Sequence, residues 1–162
     1  MARCLIVGCG CKGLSLAREL IAQGHAVRGS TRKAHRCAAI EECGAEAVMG
    51  DPERVATLAP AFEQVTVAIL LLGSAVGSRE ELAALHGSRL EMVLLRILDT
   101  TIRGIVYEAA GDVHPEVLRA GAQRVRDFCE DSRIPYALLI SDHASHAAWL
   151  DRASRAVLEV LV

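Results

Sequence analysis

Six short apolar runs recur along the 162-residue chain, and a segment of helical periodicity follows each of them. No other feature constrains the fold as much. Strands linked through helices need crossover connections, and such crossovers are right-handed, so the strands lie parallel with helices on both faces. The runs are Arg3–Val7, Ala26–Gly29, Ala45–Met49, Val65–Leu72, Ile102–Tyr107 and Pro135–Ile140. Val65–Leu72 is almost wholly apolar, as suits a strand covered on both sides. The expected class is α/β: one domain holding a three-layer, doubly wound parallel sheet of six strands in the order 3-2-1-4-5-6.

The segments between the runs carry helix signals. Lys12–Gln23 sets Leu14, Leu16, Leu20 and Ile21 on one stripe, and Gly24 ends it. Arg32–Cys43 reads as a helix closed by Gly44. Asp51-Pro52 predicts a helix start, with Asp51 as N-cap and Pro52 at the first helical position. After a loop at Gly73–Ser78, Ser78 with Glu81 and Ser88 with Glu91 both fit a capping box. They predict a helix broken near Gly87, then a second one to about Leu98. Pro115–Ser132 and Ala144–Val162 complete the set. The last carries Trp149, Leu150, Ala153, Val157, Val160 and Leu161 on one stripe, which can cover the sheet or make a homodimer.

Composition removes several classes of function. The formal net charge is −2, so neither a nucleic-acid footprint nor a polybasic membrane patch is expected. Val65–Leu72, the longest apolar run, falls well short of the ~20 residues that span a bilayer. The N-terminal MARCLIVGCG has neither the long apolar region nor the cleavage site of a signal peptide, which makes the cytoplasm the expected location. In that compartment the cysteines at 4, 9, 11, 37, 43 and 129 are expected to be free thiols.

The first strand ends in Gly8-Cys9-Gly10-Cys11-Lys12-Gly13. GxGxxG alone is weak evidence, but here it follows a strand, opens a helix and begins an alternating chain. In that setting Gly8 allows a tight turn, Gly10 lets backbone approach a pyrophosphate, and Gly13 lets the helix pack on the strand. The helix N-terminus, where Cys11 and Lys12 lie, offers unpaired N–H groups to the phosphates. The second strand leads into Arg28-Gly29-Ser30-Thr31-Arg32-Lys33. A carboxylate at this point grips the ribose 2′-OH of NAD, and none is present. Ser30, Thr31 and Arg32 suit a 2′-phosphate, which selects NADP(H) as the expected cofactor. The alternative is that Arg32 and Lys33 merely flank a helix start.

The stretches VGCGCKG, GHAVRGSTR, GAEAVMGDPE and LLLG together resemble the NAD(P)-binding Rossmann domain of the atypical short-chain dehydrogenase/reductases. The resemblance covers residues 1–73 well and the later strand–helix rhythm more loosely. It implies that Asp51 flanks the adenine and that Leu71, Leu72 and Gly73 line the ribose and nicotinamide side. The glycine spacing departs from that family's GxxGxxG, because Val7 stands at its first position. The Tyr-x-x-x-Lys of ordinary short-chain dehydrogenases is also missing: neither Tyr107 nor Tyr136 has a lysine four residues on, and Lys12 and Lys33 are the only lysines.

Candidate chemistry lies past the carboxyl end of the fifth strand. Tyr107 can donate a hydrogen bond to a substrate carbonyl, and Glu108 can serve as acid or base. Alternatively Tyr107 packs in the core and Glu108 simply starts a loop. His86 and Arg89 can approach the same cleft, while His114 precedes a proline and starts a helix. His143 and His146 lack the further ligands a metal site needs, and capping by Ser141 or Asp142 is the favoured role there. Cys9-x-Cys11 lacks a second pair for a structural zinc, so no metal is expected. The expected function is NADP(H) binding, with hydride transfer to a small or flavin-like acceptor. The alternative is a non-catalytic NADP(H) sensor that signals to a protein partner.

Overall fold

The computed structural model describes residues 1–140 and 145–162. Six strands form one parallel sheet: β1 (Arg3–Val7), β2 (Ala26–Thr31), β3 (Glu46–Met49), β4 (Val67–Leu70), β5 (Ile105–Glu108) and β6 (Tyr136–Leu139). Their order across the sheet is β3-β2-β1-β4-β5-β6, as the alternation predicts. The order reverses between β1 and β4, whose registers pair Cys4 with Val67 and Val7 with Leu70. Ligand clefts of doubly wound sheets open at such a point, beyond the carboxyl ends of the strands.

The helices are α1 (Cys11–Ala22), α2 (Cys37–Glu42), α3 (Val55–Leu58), α4 (Arg79–Leu85), α5 (Ser88–Ile97), α6 (Pro115–Ser132) and α7 (His146–Leu161). They divide the core in two, because successive strand residues face opposite ways. Leu5, Val7, Ala68, Leu70, Ile105 and Tyr107 pack with α3, α5 and α6 residues such as Leu58, Leu94 and Val125. Cys4, Ile6, Val67, Ile69 and Val106 pack with Leu16 and Leu20 of α1 and with Trp149 and Val157 of α7. Trp149, Ala153, Val157 and Val160 of the predicted closing stripe are buried there, so that face covers the sheet.

Three local expectations need correction. β2 runs on to Thr31, and a 3-10 turn at Ala34–Arg36 precedes the short α2, so the segment after β2 is not one helix. Asp51 caps no helix: its Oδ1 accepts the Glu53 N–H at 2.9 Å, closing a tight turn, and α3 starts only at Val55. The capping box at Ser78 and Glu81 forms with both arms, whereas α5 is preceded by Gly87 as N-cap, leaving Ser88 inside the helix with no capping bond. His114 does start α6, its Nδ1 accepting the Glu116 N–H at 3.1 Å. The candidate caps Ser141 and Asp142, and His143, lie outside the described residues; Ser145 caps α7. All six cysteines are free. Among the described residues, no helix is long and apolar enough to cross a membrane.

Candidate functional site

The turn from β1 into α1 divides its glycines by task. Gly8 has φ +82°, and a Cβ there would meet the Leu71 carbonyl oxygen at 2.5 Å, so the fold itself requires glycine. A Cβ on Gly13 would meet Cys9 Sγ at 3.2 Å and Ile6 Cγ2 at 3.3 Å, the close helix–strand packing the motif predicts. Among the described residues, a Cβ on Gly10 would meet nothing within 4 Å. Packing therefore does not call for glycine at position 10, and its bare backbone faces open space at the start of α1. Cys9 is buried with its sulfur against Gly13 and Gly29, and burial pushes its thiol up to about 12, so it is an inert packing group. Cys11 is exposed.

A cavity of about 400 Å³ opens at this turn. Its wall includes Gly8, Gly10, Cys11, Lys12 and Gly13 from the turn, then Ser30, Thr31 and Arg32 from the end of β2 and beyond. Asp51 closes the β3 side, and Leu71, Leu72 and Glu108 form the β4–β5 side. Eleven of the twelve predicted cofactor residues thus meet around one space. Gly73 does not join the wall, because its N–H turns to Glu108 Oε1 at 2.8 Å and its α-carbon is packed against Ala110.

Tyr107 and Glu108 separate. Tyr107 is fully buried on the α5–α6 side and is not part of the cleft. Its hydroxyl meets His86 Nδ1 at 2.6 Å, and His86 Nε2 meets the Leu72 carbonyl oxygen at 2.9 Å. The carbonyl can only accept, so Nε2 carries the proton and Nδ1 accepts from the phenol. Burial pushes the Tyr107 phenol up and the His86 imidazole down. The catalytic expectation for Tyr107 is therefore corrected: strand alternation turns it away from the cleft, and Gly121 lies directly over its hydroxyl. His86 sits in the same buried network rather than in the cleft.

Glu108 stays at the cleft with both oxygens engaged. Oε1 accepts the Gly73 N–H, and Oε2 accepts from the Lys12 ammonium at 2.6 Å. The same ammonium lies 5.0 Å from the centroid of the Trp149 ring. His146 stacks on Trp149 and its Nε2 lies 3.1 Å from Ser15 Oγ, so the start of α7 is joined to α1.

Sequence reading missed Arg36, which lines the β2 side with Arg32 and Lys33. The available signal was a third cation close behind Arg32 and Lys33 in the chain, which the 3-10 turn at Ala34–Arg36 brings back to the cleft. Among the described residues, Arg36 Nε and Ser30 Oγ are both buried with no hydrogen-bond partner. Buried polar atoms left unpaired beside a cavity fit an anionic ligand that would satisfy them. Among the described residues, no group of three or more His, Cys, Asp or Glu is placed to hold a metal.

A nucleotide cleft at the strand-order reversal, with a glycine turn on one side and cations on the other, defines a Rossmann-type dinucleotide-binding protein. The family described as NAD(P)H-binding matches residues 8–125, and the chain belongs to it. Comparison with curated proteins finds no match. Solved structures share the fold. A short-chain dehydrogenase/reductase superfamily protein from Agrobacterium tumefaciens with bound NAD superposes with a TM-score of 0.69 at 17% identity, over 84% of this chain and 48% of that one. Vestitone reductase from alfalfa gives 0.69 at 14% identity, over 86% and 56%. The triphenylmethane reductase of Citrobacter sp., complexed with NADP(H), gives 0.65 at 20%, over 85% and 48%. The chain thus spans about half the length of these proteins.

Proposed function

We propose that the chain binds NADP(H) in this cleft and passes hydride to a small carbonyl or flavin-like acceptor above the ends of β4 and β5. The observation that carries the cofactor choice is the pair of unpartnered buried atoms, Ser30 Oγ and Arg36 Nε, in a wall that also holds Arg32 and Lys33. A 2′-phosphate presents several acceptor oxygens to such a set, whereas a 2′-hydroxyl satisfies far fewer donors. Arg32 is loosely held by Glu53 at 3.9 Å and half exposed, so it is available to a more concentrated anion. The amides around Gly10 and the start of α1 hold the diphosphate. Leu71 and Leu72 give the other half of the cleft an apolar floor. The bound dinucleotide supplies hydride; the protein supplies position and exclusion of water.

Calorimetric titration with NADPH and NADH, followed by NADPH oxidation with FMN, menadione and 4-nitrobenzaldehyde, tests the proposal. NADPH should bind at least about tenfold tighter than NADH, and at least one acceptor should be reduced. Absence of heat with either dinucleotide would overturn it. Tight binding without turnover would favour the sensor reading, which the burial of Tyr107 supports because it removes one proton donor from the cleft.

A further inference from the structure

The hydride-transfer reading needs a proton for the acceptor oxygen, and Tyr107 is sealed away from the cleft. The ionisable residues of the wall divide by position. Arg32, Lys33, Arg36, Asp51 and Glu53 follow β2 and β3, on the side assigned to the adenosine. Glu81 is committed to the Ser78 backbone as half of a capping box. Cys9 is packed beneath Gly29. Cys11 opens α1 at the glycine turn, on the side assigned to the diphosphate. Among the described residues of the wall, that leaves Lys12 and Glu108 toward β4 and β5, 2.6 Å apart. Glu108 is 2% exposed and uses both oxygens as acceptors, while the Lys12 side chain is 28% exposed and lines the cleft.

We infer that Lys12 is the proton donor of the reaction and that Glu108 is its positioning residue, an inference that rests on the hydride-transfer reading above. As the acceptor carbon takes up hydride, the C=O π pair moves to oxygen. The oxygen takes a proton from the Lys12 ammonium, so an N–H bond breaks and an O–H bond forms. The carbonyl compound is reduced to the alcohol, a reduced nicotinamide is oxidised, and the neutral amine regains its proton from water. Glu108 fixes the ammonium against the end of β5, and the Trp149 face bounds it from the α7 side. The device replaces the missing Tyr-x-x-x-Lys with one side chain from the glycine turn.

K12R is the decisive variant. Arginine keeps the charge and can keep the Glu108 pair, but it does not give up a proton near neutral pH. With NADPH and menadione or 4-nitrobenzaldehyde, kcat should fall about 10²–10³-fold, with KM and calorimetric NADPH affinity changed far less. In K12A, added methylamine should restore turnover in proportion to its concentration. A second readout needs no turnover. Lysine labelled with ¹³C at Cε gives two signals, from Lys12 and Lys33, assigned with K33R. With NADP⁺ present, 4-nitrobenzyl alcohol should move the Lys12 signal and leave that of Lys33 in place. A K12R kcat within about threefold of wild type, or an unmoved Lys12 signal, would overturn the inference. Wild-type reduction of FMN with no carbonyl acceptor reduced would overturn it too while leaving hydride transfer standing. No turnover on any acceptor would instead overturn the reading beneath it.

Discussion

Glu108 stands 96 positions after Lys12 in the chain and 2.6 Å from it in space. The pair ties the end of β5 to the glycine turn, and the second Glu108 oxygen ties in the Gly73 amide. Glu108→Ala removes both links and leaves a largely buried N–H unpaired, so unfolding free energy should fall by about 2–4 kcal/mol. Glu108→Gln keeps an acceptor for Gly73 and loses the ion pair, so the loss should be about half as large. Urea unfolding of the two variants measures the difference, and equal losses would count against the Gly73 link.

His86 makes stability depend on pH. Burial lowers its pKa in the folded protein below the ordinary 6.5. Between the folded and unfolded values the unfolded chain binds more protons, so stability rises with pH there. The contribution is complete above about 6.5 and is lost as pH falls toward the folded value. Wild type should therefore lose more stability than His86→Gln between pH 7 and pH 5.5, measured as the shift in urea midpoint. A parallel loss in both proteins would remove His86 from the account.

Gly8 and Gly10 should respond to alanine in opposite ways. Gly8→Ala meets a left-handed φ and the Leu71 carbonyl, so it should destabilise the fold by at least about 2 kcal/mol. Gly10→Ala meets no protein atom and should leave the thermal midpoint within a few degrees. Its methyl group enters the space assigned to the diphosphate, so NADPH affinity should drop by about tenfold or more. Thermal unfolding and calorimetry on the two variants give the comparison.

Arg36 should govern the choice between dinucleotides. Arg36→Met keeps much of the side chain's length and removes its donors, so NADPH affinity should fall about tenfold while NADH affinity barely changes. Equal losses for both would mean that Arg36 shapes the wall without meeting the 2′-phosphate.

Most of the sheet could be read from the runs themselves, because a strand buried on both faces leaves a continuous apolar signature, as Val67–Leu70 does. The glycine turn was legible for a different reason: Gly8 and Gly13 answer distinct steric needs of the fold, while Gly10 leaves bare backbone toward the cleft. The short segments after β2 and β3 were not, since Asp51 satisfies its side chain by a turn as readily as by a helix. Tyr107 and Glu108 show a different limit. Period-two alternation already places consecutive strand residues on opposite faces, so no more than one of them belonged to a cleft on the α1 side. The Lys12–Glu108 pair was hidden because it joins the first and fifth strand–helix units, a distance that no local pattern encodes.

The position of Trp149 has a practical consequence. It is the chain's sole indole, it is buried, and a charged amine rests against its face at the mouth of the nucleotide cleft. The protein therefore carries a native fluorophore beside the groups proposed to handle phosphate and proton. Emission from that ring will register any rearrangement of the amine optically, with no dye attached and no turnover required.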